Sequence, residues 1–306
     1  MRRSGRSWII NVLVIVAFAG LGLRAVEEPK NDFRFAIIGD RTGGAQPQIY
    51  GRVWREVALM HPDFVINVGD TIQGGDDETA LAEWQQLRPI WSRYKHFPLY
   101  FTPGNHDIWS DLSKKLYAQE SGRPAHYSFD FQEAHFTVLD SVAERGSPYR
   151  GRLSPEQLKF LEQDLQANQE KSPKIVVFHH PFWIAEMEAE DSEFPFHELA
   201  KKYGVSHVIS GHGHKFVRRV RDGIAYMEVG SSGGQMTGGL KRGEGFKDGR
   251  FYHWVWGSVD RGKVMFSVKE IGGAMGDGRM FPAEDWSETG PKFDVGDPAL
   301  AYQPET

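Results

Sequence analysis

The chain has 306 residues, 40% of them hydrophobic and 25% charged. These values are close to globular averages and exclude a disordered chain, a collagen-like chain and a polytopic membrane protein. It has no cysteine but twelve histidines, so disulfide frameworks, thiolate metal sites, iron–sulfur centres, cysteine nucleophiles and lipoprotein anchors are excluded, and any metal must be held by His, Asp, Glu, Asn or Gln. The net charge of −5 becomes −9 when the four arginines of residues 1–25 are set aside, leaving 32 basic against 41 acidic residues; such a body exerts no electrostatic pull toward nucleic acid or anionic lipid.

In chain order, Arg2, Arg3 and Arg6 precede residues 8–23, in which only Asn11 is clearly polar. This is the basic and apolar pattern of an export signal. A spanning helix needs about 20 apolar residues, so residues 1–25 are read as a signal peptide, with an uncleaved anchor as the alternative, and the product as periplasmic or extracellular. Short apolar runs follow at 33–39 (FRFAIIG), 64–68 (FVINV), 99–102, 174–178 (KIVVF) and 208–210, and read as buried strands. Helical patterns lie between them at 47–60, 78–94, 111–120, 154–168 and 195–203. The 154–168 segment has Ser154 as cap, Pro155 in the first turn, Gln157 to complete a capping box, and Leu158, Leu161 and Leu165 on one face. Segments 127–131 and 134–140 form an expected hairpin around Gln132-Glu133, and 216–221, 224–229, 251–259 and 263–268 an expected closing antiparallel set, with turns at Asp222-Gly223 and Arg261-Gly262. The order implies one α/β domain with two sheets over 33–271 and an irregular tail over 272–306.

Polar residues gather just past the predicted strands, where open α/β sheets place ligand sites. They are Gly39-Asp40, Gly69-Asp70, Gly104-Asn105-His106-Asp107, His179-His180-Pro181 and Gly211-His212-Gly213-His214. Each piece alone is an ordinary turn or loop; five in this order resemble the calcineurin-like metallophosphoesterase family. The resemblance implies a four-layer α/β/β/α sandwich of two mixed β-sheets, and a metal-dependent phosphoesterase in which a metal-bridging hydroxide attacks a phosphomonoester or phosphodiester in line. It implies two divalent or trivalent ions, and the nitrogen and oxygen ligands suit Mn, Fe, Zn, Co or Ni. Carried over by position, Asp70 resembles the bridging carboxylate. Asp40 and His214 look like ligands of the first metal; Asn105, His179 and His212 look like ligands of the second. His106 resembles the histidine that touches the phosphoryl group or protonates the leaving oxygen. Asp107 is grouped with it, either orienting a neighbour or capping the next segment, and His180 supports the ligands from behind.

The first motif departs from the family: Asp40-Arg41-Thr42 has a threonine where most members have an imidazole. Purple acid phosphatases also lack that histidine and use a tyrosine three residues after the bridging Asp; here that residue is Gln73. Gln73 is open to three readings: an oxygen ligand, a hydrogen-bond partner of His106, or a residue with no site role. Thr42 is placed beside the ligands, and a first metal with fewer protein ligands is expected. Arg41 could reach a substrate phosphate or an outward salt bridge. Residues 230–245 carry seven glycines with Lys241 and Arg242, and form either a substrate loop or a plain connection. Trp109, Phe182 and Trp183 wall the pocket or pack in the core. The expected partner is a small or phosphorylated substrate. The competing reading is a catalytically weak or inactive metal- or phosphate-binding member of the same fold; the acidic body argues against a nuclease.

Overall fold

A computed structural model describes residues 31–46, 48–94, 96–143, 145–189, 194–236, 249–271, 275–276 and 279–280. The 1–25 segment, Lys241, Arg242 and residues 281–306 lie outside the described residues. The elements in order are β1 (Phe33–Ile38), α1 (Ile49–Leu59), β2 (Phe64–Asn67), α2 (Ala80–Ser92), β3 (Leu99–Phe101), α3 (Asp111–Ser121), β4 (Tyr127–Phe131), β5 (Ala134–Val138), α4 (Pro155–Ala167), β6 (Lys174–Val177), α5 (Trp183–Glu188), α6 (Pro195–Lys202), β7 (Val205–Ser210), β8 (Val217–Arg221), β9 (Ile224–Glu228), β10 (His253–Asp260), β11 (Lys263–Glu270), β12 (Met275–Gly276) and β13 (Arg279–Met280).

One sheet has the order β11-β10-β1-β2-β3, the other β4-β5-β6-β7-β9-β8. Both are mixed. β1, β2 and β3 are parallel, with β10 and β11 added antiparallel. In the second sheet β5, β6, β7 and β9 are parallel, and β4 and β8 are antiparallel edges. The inner strands read as unbroken apolar runs because both of their faces are covered. Phe33, Phe35, Phe64, Phe136, Ile175 and Ile209 fill the space between the sheets. Helix α1 covers the outer face of the first sheet with Tyr50, Val53 and Trp54. Trp84 of α2 and Tyr117 of α3 pack around Phe101. Leu161 and Leu165 of α4, Trp183 of α5 and Phe196 of α6 cover the second sheet. The result is the expected four-layer sandwich.

Three expectations are corrected, and one helix has no counterpart among them. The closing strands do not form one antiparallel set: β10 and β11 extend the first sheet, whereas β9 runs parallel to β7 in the second. Local alternation and turn residues define each hairpin but carry no information about which sheet receives it. Ser154 does cap α4 by accepting from the Gln157 N–H, at 3.3 Å. The Gln157 side chain, however, accepts from the Asp140 N–H at 2.9 Å, so it tethers the loop after β5 rather than closing a capping box. Helix α5, six residues long, is too short to leave a periodic signal. The tail begins with a two-stranded pair, β12 with β13.

His135, on β5, is buried between two carboxylates: Nδ1 is 2.7 Å from Asp130 Oδ1 and Nε2 is 2.9 Å from Asp164 Oδ2. Burial alone would lower its pKa, but the hydrogen bonds and charges of Asp164 and Asp130 outweigh it and raise the pKa. Its stabilising contribution is therefore complete below the unfolded-state value of about 6.5 and is lost as pH rises through the higher folded value. His135→Gln is expected to flatten the fall in Tm on the alkaline side of pH 6.5, as followed by differential scanning calorimetry. A parallel pH profile for variant and wild type would refute this.

Candidate metal centre

The polar motifs meet at one end of both sheets. β1, β2 and β3 deliver Asp40, Asp70 and the 104–107 segment from the first sheet; β6 and β7 deliver His179 and the 211–214 loop from the second. Four of the gathered residues have left-handed backbone: Asp40 (φ 53°), Asp70 (φ 57°), His212 (φ 81°) and His214 (φ 52°). That conformation costs a non-glycine residue roughly 1–2 kcal/mol and persists only where surrounding contacts hold it. Those contacts are present. The Asp40 N–H donates to Gly69 O at 2.9 Å, and the Gly211 N–H to His179 O at 2.8 Å. Asp40 Oδ1 accepts from the His212 N–H at 2.6 Å, and Asp70 Oδ1 from the His106 N–H at 2.9 Å. Gly104 must lack a side chain here, because a Cβ would overlap the Asp70 backbone N and Oδ1.

Three side chains converge on His179 Nε2. It is 3.1 Å from Asn105 Oδ1, 3.3 Å from His212 Nδ1 and 3.3 Å from Asp70 Oδ1. The other ring nitrogen, Nδ1, donates to Val68 O at 2.9 Å, which turns Nε2 toward the cluster. His214 is fixed in the same way, its Nδ1 donating to Gln235 O at 2.6 Å, with Nε2 3.7 Å from Asp40 Oδ1. Asp40 Oδ2 is buried with no hydrogen-bond partner among the described residues. It lies in a cradle where a Cβ on Gly211 or on Gly230 would come within 2.5 Å.

This donor set fits cations. Ligand bonds of about 2.0–2.2 Å place neighbouring ligand atoms roughly 3.0–3.5 Å apart, the separations seen around His179. Asp70, Asn105, His179 and His212 would hold one ion; Asp40, Asp70 and His214 would hold the other. Within the protein alone, protons carry the charge instead. Burial drives the Asp40 pKa well up, only partly opposed by His179. Burial also pushes Asp70 up, but the adjacent His179 reverses this and holds its carboxyl well below the usual range. His179 would be lowered by burial, yet Asp70 raises it to about 9. His212 and His180 are lowered, to about 4 and about 2, by burial and the charge of His179.

His106 joins the cluster from the Asn105 side. Its Nδ1 donates to the backbone O of Gln73 at 2.5 Å, which leaves Nε2 facing His214 across Gly43. Thus Gln73 is a partner of His106, but through its main chain. Its side-chain Oε1 accepts from Thr42 Oγ1 at 2.6 Å and from the Gly44 N–H at 3.3 Å. The two departures from the family pattern are bonded to each other. Arg41 contributes its backbone N–H to Asp70 O at 3.1 Å, while its guanidinium carbon stands 6.0 Å from the Tyr50 ring centroid rather than in the cluster. His180 packs its ring against His212, and its Nδ1 lies 3.3 Å from Ser141 Oγ. Asp107 is corrected from its grouping with His106. Its carboxylate accepts from the N–H groups of Asp70, Thr71, Ile72 and Gly104 and is fully buried, so it shapes loops and does not meet substrate. Trp109 and Trp183 are core residues.

Two residues beside the cluster carry no local motif. Arg150 donates to Asn105 O. Glu228, the last residue of β9, is buried behind Gly213, where a Cβ would overlap its Oε1. Neither Glu228 oxygen has a hydrogen-bond partner among the described residues. Only a Glu closing an apolar strand next to Gly230 hints at it in the sequence. Burial pushes Glu228 up to about 7. Its favourable contribution is complete below the unfolded value of about 4.5 and lost as pH rises through about 7. Glu228→Gln is therefore expected to raise the Tm of the metal-free protein by several degrees at pH 8 and far less at pH 5. Scanning fluorimetry at both pH values checks this; no gain at pH 8 would refute it.

Residues 33–216 match the calcineurin-like phosphoesterase family model. The chain is 31% identical over 195 residues to the 3',5'-cyclic adenosine monophosphate phosphodiesterase CpdA of Vibrio vulnificus, covering 60% of this chain and 67% of that protein. It is 24% identical over 206 residues to human acid phosphatase type 7, covering 60% of this chain but only 47% of the relative. Among solved structures, the purple acid phosphatase PPD1 of yellow lupin seeds superposes with a TM-score of 0.58 at 17% identity, covering 80% of this chain and 53% of that one, a likeness of fold. The family match spans more than half of the chain and contains Asp40, Asp70, Asn105, His106, His179, His212 and His214: the chain belongs to the calcineurin-like phosphoesterase family, hydrolases that act on ester bonds.

Proposed function

We propose that the chain is a metal-dependent phosphoesterase acting at the Asp40, Asp70, Asn105, His179, His212 and His214 cluster. The observation that carries this reading is the convergence of three donor atoms on His179 Nε2 beside the buried, unpartnered Asp40 Oδ2. When bound, two cations would supply Lewis-acid stabilisation of a phosphoryl group and lower the pKa of a water molecule. The protein's own share is positional. Val68 O and Gln235 O fix the tautomers of His179 and His214. Gln73 O fixes His106 Nδ1 and leaves Nε2 for proton exchange with the leaving oxygen. The nitrogen and oxygen donors suit Mn, Fe, Zn, Co or Ni. The relatives' names, a cyclic-nucleotide phosphodiesterase and an acid phosphatase, support both diesters and monoesters as substrates.

The test is turnover of p-nitrophenyl phosphate and bis-p-nitrophenyl phosphate by purified protein loaded with Mn, Zn, Fe or Co. Metal-dependent hydrolysis of either ester is expected. Failure on both, with metal bound, would favour a non-catalytic metal- or phosphate-binding protein. That second reading draws on the Thr42–Gln73 bond, which occupies the two side chains best placed to complete the first site. Export is also proposed, on Arg2, Arg3 and Arg6 ahead of the apolar 8–23 run; N-terminal sequencing of protein from the periplasmic fraction tests it.

A further inference from the structure

The loop after β5 is latched onto the centre. The His180 N–H donates to Ser141 Oγ at 3.0 Å, and the Gly151 N–H to Ser141 O at 2.9 Å. From this loop Arg150 reaches across to the Asn105 segment. Its Nη1 donates to Ala143 O at 2.8 Å and to Val142 O at 3.3 Å, and its Nη2 donates to Asn105 O at 3.2 Å. All three acceptors are neutral main-chain carbonyls. A guanidinium has five N–H donors, so two remain after these bonds to the described residues. No carboxylate pairs with Arg150 among the described residues. Burial and the like charge of Arg145 both lower its pKa, and Asp70 is the acid that acts on it in the opposite sense. Arg145 is held nearby, with Nη2 donating to Gly75 O at 3.4 Å. A half-buried cation fixed by carbonyls, beside a second cation and next to a ligand residue, is a prepared anion contact. Its three restraints mean little side-chain freedom is lost on binding.

The geometry points to Arg150 as a specificity residue that anchors a terminal phosphoryl oxygen and favours phosphomonoester dianions over diesters. The inference rests on the phosphoesterase reading. A monoester offers three non-bridging oxygens and two negative charges, and a diester offers two oxygens and one charge. The extra oxygen and charge are what a guanidinium at the rim of the centre can select. The chemistry distinguishes this role from a loop latch: a latch would affect both ester types alike.

The experiment compares wild type, Arg150→Gln and Arg150→Lys, each metal-loaded with metal content measured. KM and kcat are determined for p-nitrophenyl phosphate and bis-p-nitrophenyl phosphate, and inorganic phosphate is titrated calorimetrically. Loss of a charge-assisted contact corresponds to roughly a 10- to 100-fold effect. Arg150→Gln is expected to raise the monoester KM and the phosphate Kd by about that factor, with less than about a threefold change for the diester, and Arg150→Lys to recover part of the loss. Equal losses on the two esters, or unchanged phosphate affinity, would overturn the assignment. If wild type hydrolyses neither ester, the phosphoesterase reading fails on its own, and the phosphate titration still decides whether Arg150 binds the anion.

Discussion

Asp70→Asn is expected to lower kcat/KM by about 1,000-fold or more, equivalent to roughly 4 kcal/mol of transition-state stabilisation, while the metal-free fold survives. Asp70 is the one side chain common to both candidate ion positions. Its Oδ1 accepts from the His106 N–H and lies 3.3 Å from His179 Nε2. An asparagine carbonyl still accepts from His106, so the loop keeps its shape. What is removed is the charge that opposes burial of His179 and that either cation would need. Removing one member of a buried charged pair costs about 3–5 kcal/mol when the other must stay charged, but His179 can release its proton. The Tm of the metal-free variant should accordingly move by only a few degrees, whereas metal content falls below one ion per chain. Elemental analysis, calorimetry and kinetics on the same preparation separate these effects. Full metal content, or turnover within tenfold of wild type, would contradict a shared ligand at this position.

The sequence alone makes the candidate ligands readable because each follows a short apolar run and all but His179 adjoin a glycine. The Gly39-Asp40, Gly69-Asp70 and Gly211-His212-Gly213-His214 segments combine a strand end, a turn and a side chain able to bind a metal. The structure adds why the glycines stand there: Gly104 and Gly211 leave room for the Asp70 and Asp40 carboxylates. Roles that depend on distant contacts are not readable. Arg150 matters through Asn105, and Glu228 through Gly213; neither pairing has a local pattern. Gln157 fits a capping box by spacing, yet the tertiary demand of the Asp140 N–H takes its side chain. The sheet assignment of β9 and β10 is likewise a long-range choice.

Thr42 and Gln73 show how two departures can be one feature. Considered separately, each is a lost ligand. In the structure the Thr42 hydroxyl and the Gln73 carbonyl satisfy each other at 2.6 Å. Gln73 also presents its backbone O to His106, so the same short segment fixes the proton-transfer residue and closes the first-motif loop. Hydrogen bonds hold the loop at the position where most family members carry an imidazole.

The second large effect is expected at Asp107, through structure and not through contact with substrate. Oδ2 accepts from the N–H groups of Asp70 and Gly104, both at 2.9 Å; Oδ1 accepts from Thr71 at 2.9 Å and Ile72 at 3.2 Å. One carboxylate thus ties the loop after β2 to the loop after β3. Asp107→Ala strands four buried N–H groups. Each unsatisfied group costs about 1–3 kcal/mol, and even the lower bound, about 4 kcal/mol in all, lowers Tm by roughly 8–16 °C in a domain of this size. Asp107→Asn should be nearly as damaging, since its amide would turn donors toward two of those N–H groups. Activity and metal content are expected to fall together in both variants, because Asp70 and Asn105 lose their common support. A variant that keeps its Tm and its metals but loses turnover would instead make Asp107 a direct participant in the reaction.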